Sequence, residues 1–139
     1  MNKSSYHELE LKRLQLQPGA RIKVKGYIHS AAERFAINLG KDEDNIILHF
    51  NPRFNYATDR KIIVCNSKHE GHWAAEQRIT NFPYEHMRTI DVYFDFEGER
   101  FKITLHNGYE FTFPNRLNLH QIDYIIIYGD FLVRKVDFE

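Results

Sequence analysis

The chain has 139 residues, of which 42% are apolar and 14% are aromatic, so it can form one globular domain with a substantial core and is not a disordered protein. Its 19 basic residues balance its 19 acidic residues, which excludes a bulk electrostatic attraction to nucleic acid or to anionic membranes. No apolar run approaches the ~20 residues of a membrane-spanning helix, so we expect no membrane insertion.

The N-terminal region begins with a polar segment and continues with alternating apolar and polar residues. Residues 1–8 contain no apolar segment of the kind that a signal peptide needs, and we predict that they form a flexible extension. From Leu9 to Leu16, leucines alternate with polar residues, and a break in phase between Leu11 and Leu14 indicates a β-bulge or a change of partner strand. A helix is the alternative, because these residues have good helix propensity and Pro18-Gly19 would end it. Residues 22–28 alternate again and predict a strand.

A long strand is predicted from Ile46 to Asn55, after a shorter one at 35–39 and a polar turn at 40–45. Successive side chains of a strand point to opposite faces, and those on one face are about 6.6–6.8 Å apart. The apolar face consists of Ile46, Leu48, Phe50, Pro52 and Phe54. The other face consists of Ile47, His49, Asn51, Arg53 and Asn55. This second face predicts a ladder of polar side chains that can hold a polar ligand against the sheet.

The next predicted strand, at 62–67, lies between predicted loops at 55–61 and 68–72. Its alternation places Ile62, Val64 and Asn66 on one face. Cys65 is the only cysteine of the chain, so an intrachain disulfide is impossible and a reducing compartment is expected. Its apolar neighbours predict a buried thiol.

The segment from Trp73 to Arg78 adds groups that suit a sugar. Trp73 offers a flat apolar surface for the C–H face of a sugar ring. Hydroxyl groups find donors and acceptors in Asn51, Asn66, Arg53, Arg78 and Glu76. Each feature also has an ordinary explanation: the ladder as the solvated side of a strand, Trp73 as a core residue, and Glu76–Arg78 as a surface ion pair. Their concentration within residues 46–78 favours a sugar site.

The C-terminal half alternates in short segments. Strands are predicted at 88–96, 101–105 and 109–113, with turns at 97–99 and 106–108, and these form an antiparallel meander. The apolar run 124–128 precedes a last strand at 131–138. Neither face of that last strand is cleanly polar, which suits a strand partly covered by a partner chain. Short strands with turns between them predict an all-β, two-sheet antiparallel sandwich.

Several motifs resemble those of the galectin family. The pattern His49-x-Asn51-Pro52-Arg53, Val64-x-Asn66, Trp73-x-x-Glu76-x-Arg78 fills every position of the galectin signature. Further similar segments are Phe35–Gly40, Phe82–Tyr84 and Gly108–Leu119, so the resemblance covers nearly the whole chain and is to vertebrate single-domain, prototype galectins. Many such proteins carry a second histidine where this chain has Ala57. The resemblance therefore implies an intact core site without one peripheral sugar contact.

The resemblance implies a galectin-type jelly roll in which residues 1–139 are a single carbohydrate-recognition domain, with the sugar groove on one concave outer face. It favours a strand over a helix at 9–16. It implies a non-catalytic lectin for β-galactosides such as lactose and N-acetyllactosamine-type glycans. The implied roles are as follows: Trp73 stacks on galactose, His49, Asn51 and Arg53 bind its 4-hydroxyl, Asn66 and Glu76 bind its 6-hydroxyl, and Arg53, Glu76 and Arg78 reach the next sugar. It also implies a homodimer that cross-links glycoconjugates, and a cytoplasmic protein exported by a non-classical route.

Other kinds of chemistry have weaker support in the sequence. His69 and His72 are the only close histidine pair and lack a third ligand, so we predict no metal site and no cofactor. A glycosidase needs two carboxylates at a set separation, but the predicted site holds only Glu76, between Arg53 and Arg78. We therefore predict no enzyme activity. The alternative function is a structural or interaction protein of the same fold that acts through protein contacts.

Overall fold

A computed structural model describes residues 6–139, which form twelve β-strands. The strands are β1 (His7–Leu11), β2 (Arg21–Ile28), β3 (Phe35–Asp42), β4 (Asn45–Tyr56), β5 (Asp59–His69), β6 (His72–Trp73), β7 (Gln77–Ile79), β8 (Arg88–Phe96), β9 (Arg100–Thr104), β10 (Glu110–Pro114), β11 (Tyr124–Gly129) and β12 (Leu132–Phe138). The described part of the chain contains no helix that is long and apolar enough to cross a membrane.

The strands form two antiparallel sheets. The seven-stranded sheet has the order β1-β11-β3-β4-β5-β6, with β7 also paired to β5, and the five-stranded sheet has the order β10-β9-β8-β2-β12. The chain crosses between the sheets repeatedly, since β1 and β2, and likewise β11 and β12, lie in different sheets, as a jelly roll requires. The predicted all-β, two-sheet sandwich is confirmed.

The core lies between the two sheets and is rich in phenylalanine. Phe50 of β4 meets Phe94 of β8 edge to face, with ring centroids 5.3 Å apart. Phe35 of β3 stacks on Phe131 at 4.2 Å. Cys65 is fully buried in this cluster, as predicted, and burial raises the pKa of its thiol far above the usual range. The core occupies the inner face of the seven-stranded sheet and leaves the outer face for polar side chains.

The N-terminal prediction needs two corrections. Residues 1–5 of the predicted extension lie outside the described residues, but His7 and Glu8 belong to β1, which pairs with β11. The helix alternative for residues 9–16 is wrong, because Arg13 and Gln15 have φ angles of 58° and 55°, far from those of an α-helix. Leu16 instead forms an isolated antiparallel bridge with Ile122.

A bulge at the start of β4 reverses part of the predicted alternation. The register of β4 shifts between Ile46 and His49, against both β3 and β5. Because of this extra residue, Ile47 joins the core cluster and Ile46 is buried outside it, the opposite of the prediction. After the bulge the alternation is regular, so His49, Asn51 and Arg53 share the outer face as predicted.

The loops predicted at 40–45, 55–61 and 68–72 are shorter than expected. β4 runs to Tyr56 and β5 begins at Asp59, so only two residues connect them, and Ala57 takes a φ of 54° to make the turn. β5 and β6 are joined by Glu70 and Gly71, both with positive φ. Alanine and glutamate are not typical turn residues, which is why the sequence did not show these hairpins. Asp59 is consequently a strand residue, paired with Tyr56 beside the polar ladder.

Candidate functional site

A groove of about 490 Å³ lies on the outer face of the seven-stranded sheet. Its lining consists of Arg34, His49, Asn51, Arg53, Tyr56, Val64, Asn66, Trp73, Ala74, Glu76 and Tyr128. Six of the seven residues predicted from the sequence are in this set, which we call the polar groove. The seventh, Arg78, lies outside this set but donates a hydrogen bond to Glu76. The register explains the assembly, since β4 and β5 place His49 opposite Asn66 and Asn51 opposite Val64.

The ladder on β4 is fixed by its own hydrogen bonds. Asn51 is only 2% exposed, and its Nδ2 donates to the carbonyl oxygen of Phe35 at 2.8 Å. Its Oδ1 accepts a hydrogen bond of 2.9 Å from Arg53 Nε. Because Nε is held in this way, the plane of the Arg53 guanidinium is set and its terminal nitrogens have defined directions. The ladder is therefore a rigid array and not a freely solvated strand face.

His49 is held in one tautomer. Its Nδ1 lies 2.6 Å from Oδ1 of Asn38, an oxygen that can only accept, so Nδ1 carries the proton and Nε2 is left as an acceptor. Burial and the neighbouring Arg53 charge lower the pKa of His49 to about 4. The imidazole is therefore neutral at physiological pH. A neutral acceptor beside the Arg53 donor suits a hydroxyl group, which can both donate and accept.

Arginines and carboxylates alternate along the far side of the polar groove. Asp59 accepts from Nη1 of Arg53 and, at 2.8 Å, from Nη1 of Arg78. Arg78 in turn donates through Nη2 to Glu76 Oε1 at 2.8 Å. Hydrogen bonds from Arg78 and Arg53 hold the pKa of Asp59 below its usual range, and those from Asp59 and Glu76 raise the pKa of Arg78. Glu76–Arg78 is thus part of a four-residue network and not an isolated surface pair.

Trp73 lies at the opposite side and is 48% exposed. Its ring is tilted by 56° to the His49 imidazole, with centroids 4.7 Å apart, and Lys68 Nζ lies 5.1 Å from the ring centroid. The alternative that Trp73 is a core residue is wrong, because its apolar face is open beside the ladder. The position and exposure of the ring fit the predicted role of a flat platform, which stays a prediction.

Asn66 has little hydrogen-bonding capacity left. Its Nδ2 donates to the carbonyl oxygen of Ala74 at 2.9 Å, and its Oδ1 accepts from the Ser67 amide at 2.8 Å. Arg116 Nη1 also lies 3.4 Å from that oxygen. The amide group therefore offers one remaining Nδ2 hydrogen, so Asn66 can act towards a ligand as a donor.

Sequence reasoning missed Asp59, Asn38, Arg34, Tyr128 and Arg116. The sequence predicts Asp59 in a loop, but β5 begins at this residue, and its one signal in the sequence is an acidic side chain shortly after Arg53. Asn38 could have been found from its pairing with His49 across β3 and β4. Arg34, whose Cζ lies 4.0 Å from the centroid of the Tyr56 ring, and Tyr128 come from other strands or their ends, so nothing local in the sequence marked them.

The geometry supports binding and not bond cleavage. Both carboxylates at the site, Asp59 and Glu76, accept hydrogen bonds from arginine, so neither is placed as a general acid. Within residues 6–139, no group of three or more His, Cys, Asp or Glu side chains could hold a metal ion. What the polar groove offers is a platform, one neutral acceptor, one carboxylate acceptor and several fixed N–H donors. This set fits the hydroxyl groups and the C–H face of a sugar.

Sequence comparison identifies one family. The model of the galactoside-binding lectin family matches residues 7–138. Galectin-1 of Ovis aries is 48% identical over 126 residues, which are 91% of this chain and 93% of the relative. The 16 kDa beta-galactoside-binding lectin of Gallus gallus is 40% identical over 130 residues, or 94% of this chain and 96% of the relative.

Solved structures of the same family superimpose closely on the chain. CG-16, a homodimeric agglutinin from chicken liver, gives a TM-score of 0.92 with 39% identity, and the match covers 96% of this chain and all of that one. The complex of toad ovary galectin with thio-digalactose gives a TM-score of 0.91 with 33% identity, covering 95% and 98% of the two chains.

Proposed function

The chain belongs to the galactoside-binding lectin family, the galectins, and we propose that residues 1–139 form a single carbohydrate-recognition domain that binds β-galactosides without catalysing a reaction. The observation that carries the proposal is the half-exposed Trp73 ring beside the fixed His49-Asn51-Arg53 ladder. Lactose and N-acetyllactosamine-type glycans are the proposed ligands. Two relatives support this ligand class by name: a beta-galactoside-binding lectin and a galectin solved with thio-digalactose.

In the proposed complex, galactose stacks its apolar face on Trp73 and holds its axial 4-hydroxyl over the ladder. That hydroxyl donates to His49 Nε2, the acceptor left by the bond between Nδ1 and Asn38. It accepts from Arg53, whose guanidinium is aligned by Asn51, and from the Nδ2 hydrogen of Asn51 that does not bind Phe35. One hydroxyl thus satisfies three ladder residues at once, which an equatorial group could not reach.

The 6-hydroxyl is assigned to Asn66 and Glu76. Because Asn66 retains only a donor, the 6-hydroxyl accepts from Asn66 and donates to the Glu76 carboxylate. The next sugar lies over Arg53, Glu76 and Arg78. Asp59 accepts hydrogen bonds from both arginines, and Arg78 in turn donates to Glu76. Ala57, in the turn after β4, supplies no hydrogen-bonding side chain at the rim.

We propose that the protein works as a symmetric homodimer. The cleft between β1 and β12, about 520 Å³, is lined partly by apolar side chains, namely Leu9, Leu11, Leu132, Val133, Val136 and Phe138. β1 and β12 are also the edge strands of their sheets, and a second copy would cover those edges. A homodimeric agglutinin has the same fold. Two sites in one particle would cross-link glycoconjugates and raise avidity without new sugar contacts.

We further propose that the protein is found both in the cytoplasm and outside the cell, with export by a non-classical route. The single buried cysteine supports synthesis in a reducing compartment. Detection of the chain in both cell lysate and culture medium, while a secretory-pathway inhibitor is present, tests this proposal. Export that stops with the inhibitor contradicts it.

Affinity chromatography on immobilised lactose tests the binding proposal. We expect the protein to be retained on lactose-agarose, to elute with free lactose and to pass through a matched column that carries mannose. Passage through the lactose column would instead support the alternative, a protein of the same fold that acts through protein contacts.

A further inference from the structure

Arg116 reaches the polar groove from the opposite sheet. It follows β10, a strand of the five-stranded sheet, by two residues. Its guanidinium lies 4.7 Å from the ring centroid of Phe113, which is fully buried in the core. The cation is therefore anchored on a rigid aromatic ring, although the residue as a whole is exposed.

The contacts of Arg116 converge on the segment that joins Trp73 to Glu76. Its Nη1 donates to the carbonyl oxygen of Ala75 at 2.8 Å and to Ser67 Oγ at 3.2 Å. Residues 74–76 belong to no strand. Two of their carbonyl groups accept hydrogen bonds from side chains, that of Ala74 from Asn66 and that of Ala75 from Arg116. Both carbonyl groups lie between the platform and the carboxylate acceptor of the proposed sugar site.

We propose that Arg116 is a positioning residue for sugar binding, which fixes the Trp73–Glu76 connection and restricts Asn66 to a donor role. This inference rests on the proposed function for its effect on affinity, but its effect on Trp73 does not require a ligand. Without Arg116 the Ala75 carbonyl loses its charged partner, and the connection gains freedom between the Ala74 contact and β7. The distance between the Trp73 and Glu76 side chains is then no longer fixed, although neither residue is changed.

The single tryptophan of the chain makes this testable by fluorescence, because all indole emission comes from Trp73. Arg116→Met keeps a long apolar side chain against Phe113 and removes the donors. We expect faster acrylamide quenching and lower emission anisotropy of Trp73 without sugar. By calorimetry we expect lactose affinity to fall about tenfold, the scale for loss of a hydrogen bond from a charged donor. Thermal unfolding measured in parallel shows whether the domain remains folded.

Arg100→Met is the matched control. Arg100, in β9, is also an exposed arginine, and its Nε donates to Glu97 at 2.8 Å, so its loss removes the same charge and a hydrogen bond that does not involve residues 73–76. We expect wild-type quenching and affinity in this variant. Arg116→Leu, with Arg100→Leu as its control, repeats the test if Arg116→Met does not fold.

Wild-type quenching, anisotropy and lactose affinity in a folded Arg116 variant would overturn the proposal. A lower melting temperature with unchanged Trp73 emission and affinity would also overturn it, since that is the result of a merely structural role. If the wild-type protein itself does not bind lactose, the proposed function fails, while the quenching comparison still decides whether Arg116 positions the platform.

Discussion

His49 shows how a neighbouring amide decides what a histidine can do. The Nδ1–H group of His49 donates a hydrogen bond to Asn38 Oδ1. Burial and the charge of Arg53 disfavour a second proton on the ring and lower the pKa of His49 to about 4. In the unfolded chain histidine titrates near its usual value of about 6.5. As pH falls from about 6.5 towards 4, the unfolded state binds a proton at His49 before the folded state does. The stability that the neutral His49 contributes to the folded state is therefore fully present above pH ~6.5 and is lost as pH falls to about 4.

Sugar binding should follow the same protonation. We expect lactose affinity to be constant from pH 8 to about 6 and to fall as pH approaches 4, because a protonated Nε2 cannot accept from the 4-hydroxyl. Asn38→Asp places a carboxylate beside Nδ1, favours the imidazolium and should move the acid limb to higher pH. Calorimetric titration at several pH values measures this limb. Asn107→Asp, in the turn between β9 and β10, is the control because it adds the same charge away from His49. If lactose affinity falls at the same higher pH in this variant as in Asn38→Asp, the loss of affinity in acid is not due to protonation of His49.

Because the indole of Trp73 is half-exposed, we expect its replacement to weaken sugar binding and to leave the fold intact. Trp73→Ala should weaken lactose binding by at least about tenfold, because stacking contributes roughly 0.5–1.5 kcal/mol beyond the lost contact area. Its melting temperature should stay close to that of the wild type, since the ring packs on the outer face and not in the core. Trp73→Phe, which keeps an aromatic face, should retain part of the affinity. If Trp73→Ala unfolds the domain, the platform assignment is wrong.

At the scale of elements, the β3–β4 hairpin sets the phase of the ladder. A Cβ on Gly40 would lie 2.4 Å from the Asn45 carbonyl oxygen and 2.8 Å from Ile46 Cα, so the two strands approach more closely there than any side chain allows. The register shift beside this contact puts His49, Asn51 and Arg53 on the outer face. The close approach at Gly40 on β3 thus lies at the register shift after which His49, Asn51 and Arg53 share the outer face of β4.

Gly40→Ala should therefore destabilise the domain by about 1–3 kcal/mol, the usual cost of overpacking. Urea unfolding followed by circular dichroism measures the change. Gly108→Ala is the comparison, because a Cβ there meets no atom within 4 Å and adds only the strain of a φ of +87°. A Gly40→Ala variant as stable as the wild type would show that β3 and β4 do not require this close approach.

Alternation of residue types predicted the strands well and their irregularities poorly. It placed His49, Asn51 and Arg53 on one face because strand periodicity is local. It failed at Ile46 and Ile47, where a bulge depends on the partner strand. It also missed the turn at Ala57, since alanine gives no signal for a positive φ. Periodicity therefore describes regular segments, while registers and tight turns depend on contacts between strands.

The site was predictable to a similar extent. The residues proposed to face the ligand follow a recognisable spacing between His49 and Arg78. Their supports do not, because Asn38, Asp59 and Arg116 act through side-chain hydrogen bonds from other segments. Spacing in the sequence identifies groups that can touch a sugar, but which tautomer or donor each presents is decided by the three-dimensional neighbours.

At the scale of the whole molecule, we expect a dimer held by the edges formed by β1 and β12. Sedimentation velocity at tens of micromolar should show a dimer for the wild type. Leu132 lines the cleft between β1 and β12, and its side chain is 37% exposed in a single protomer. Leu132→Glu places a charge there and should shift the protein to monomer, while the lactose affinity of each site stays unchanged. A wild-type monomer under these conditions contradicts the dimer.

We propose above all that the polar groove recognises the axial 4-hydroxyl of galactose. Lactose and cellobiose share their linkage and reducing glucose and differ in that one configuration, so calorimetric titration of the wild-type protein with both sugars tests the claim directly. Ladder groups left without a partner cost about 1–3 kcal/mol, so lactose should bind roughly 5- to 150-fold more tightly than cellobiose. Equal affinity for the two sugars would contradict the assignment of His49, Asn51 and Arg53 as the residues that select galactose.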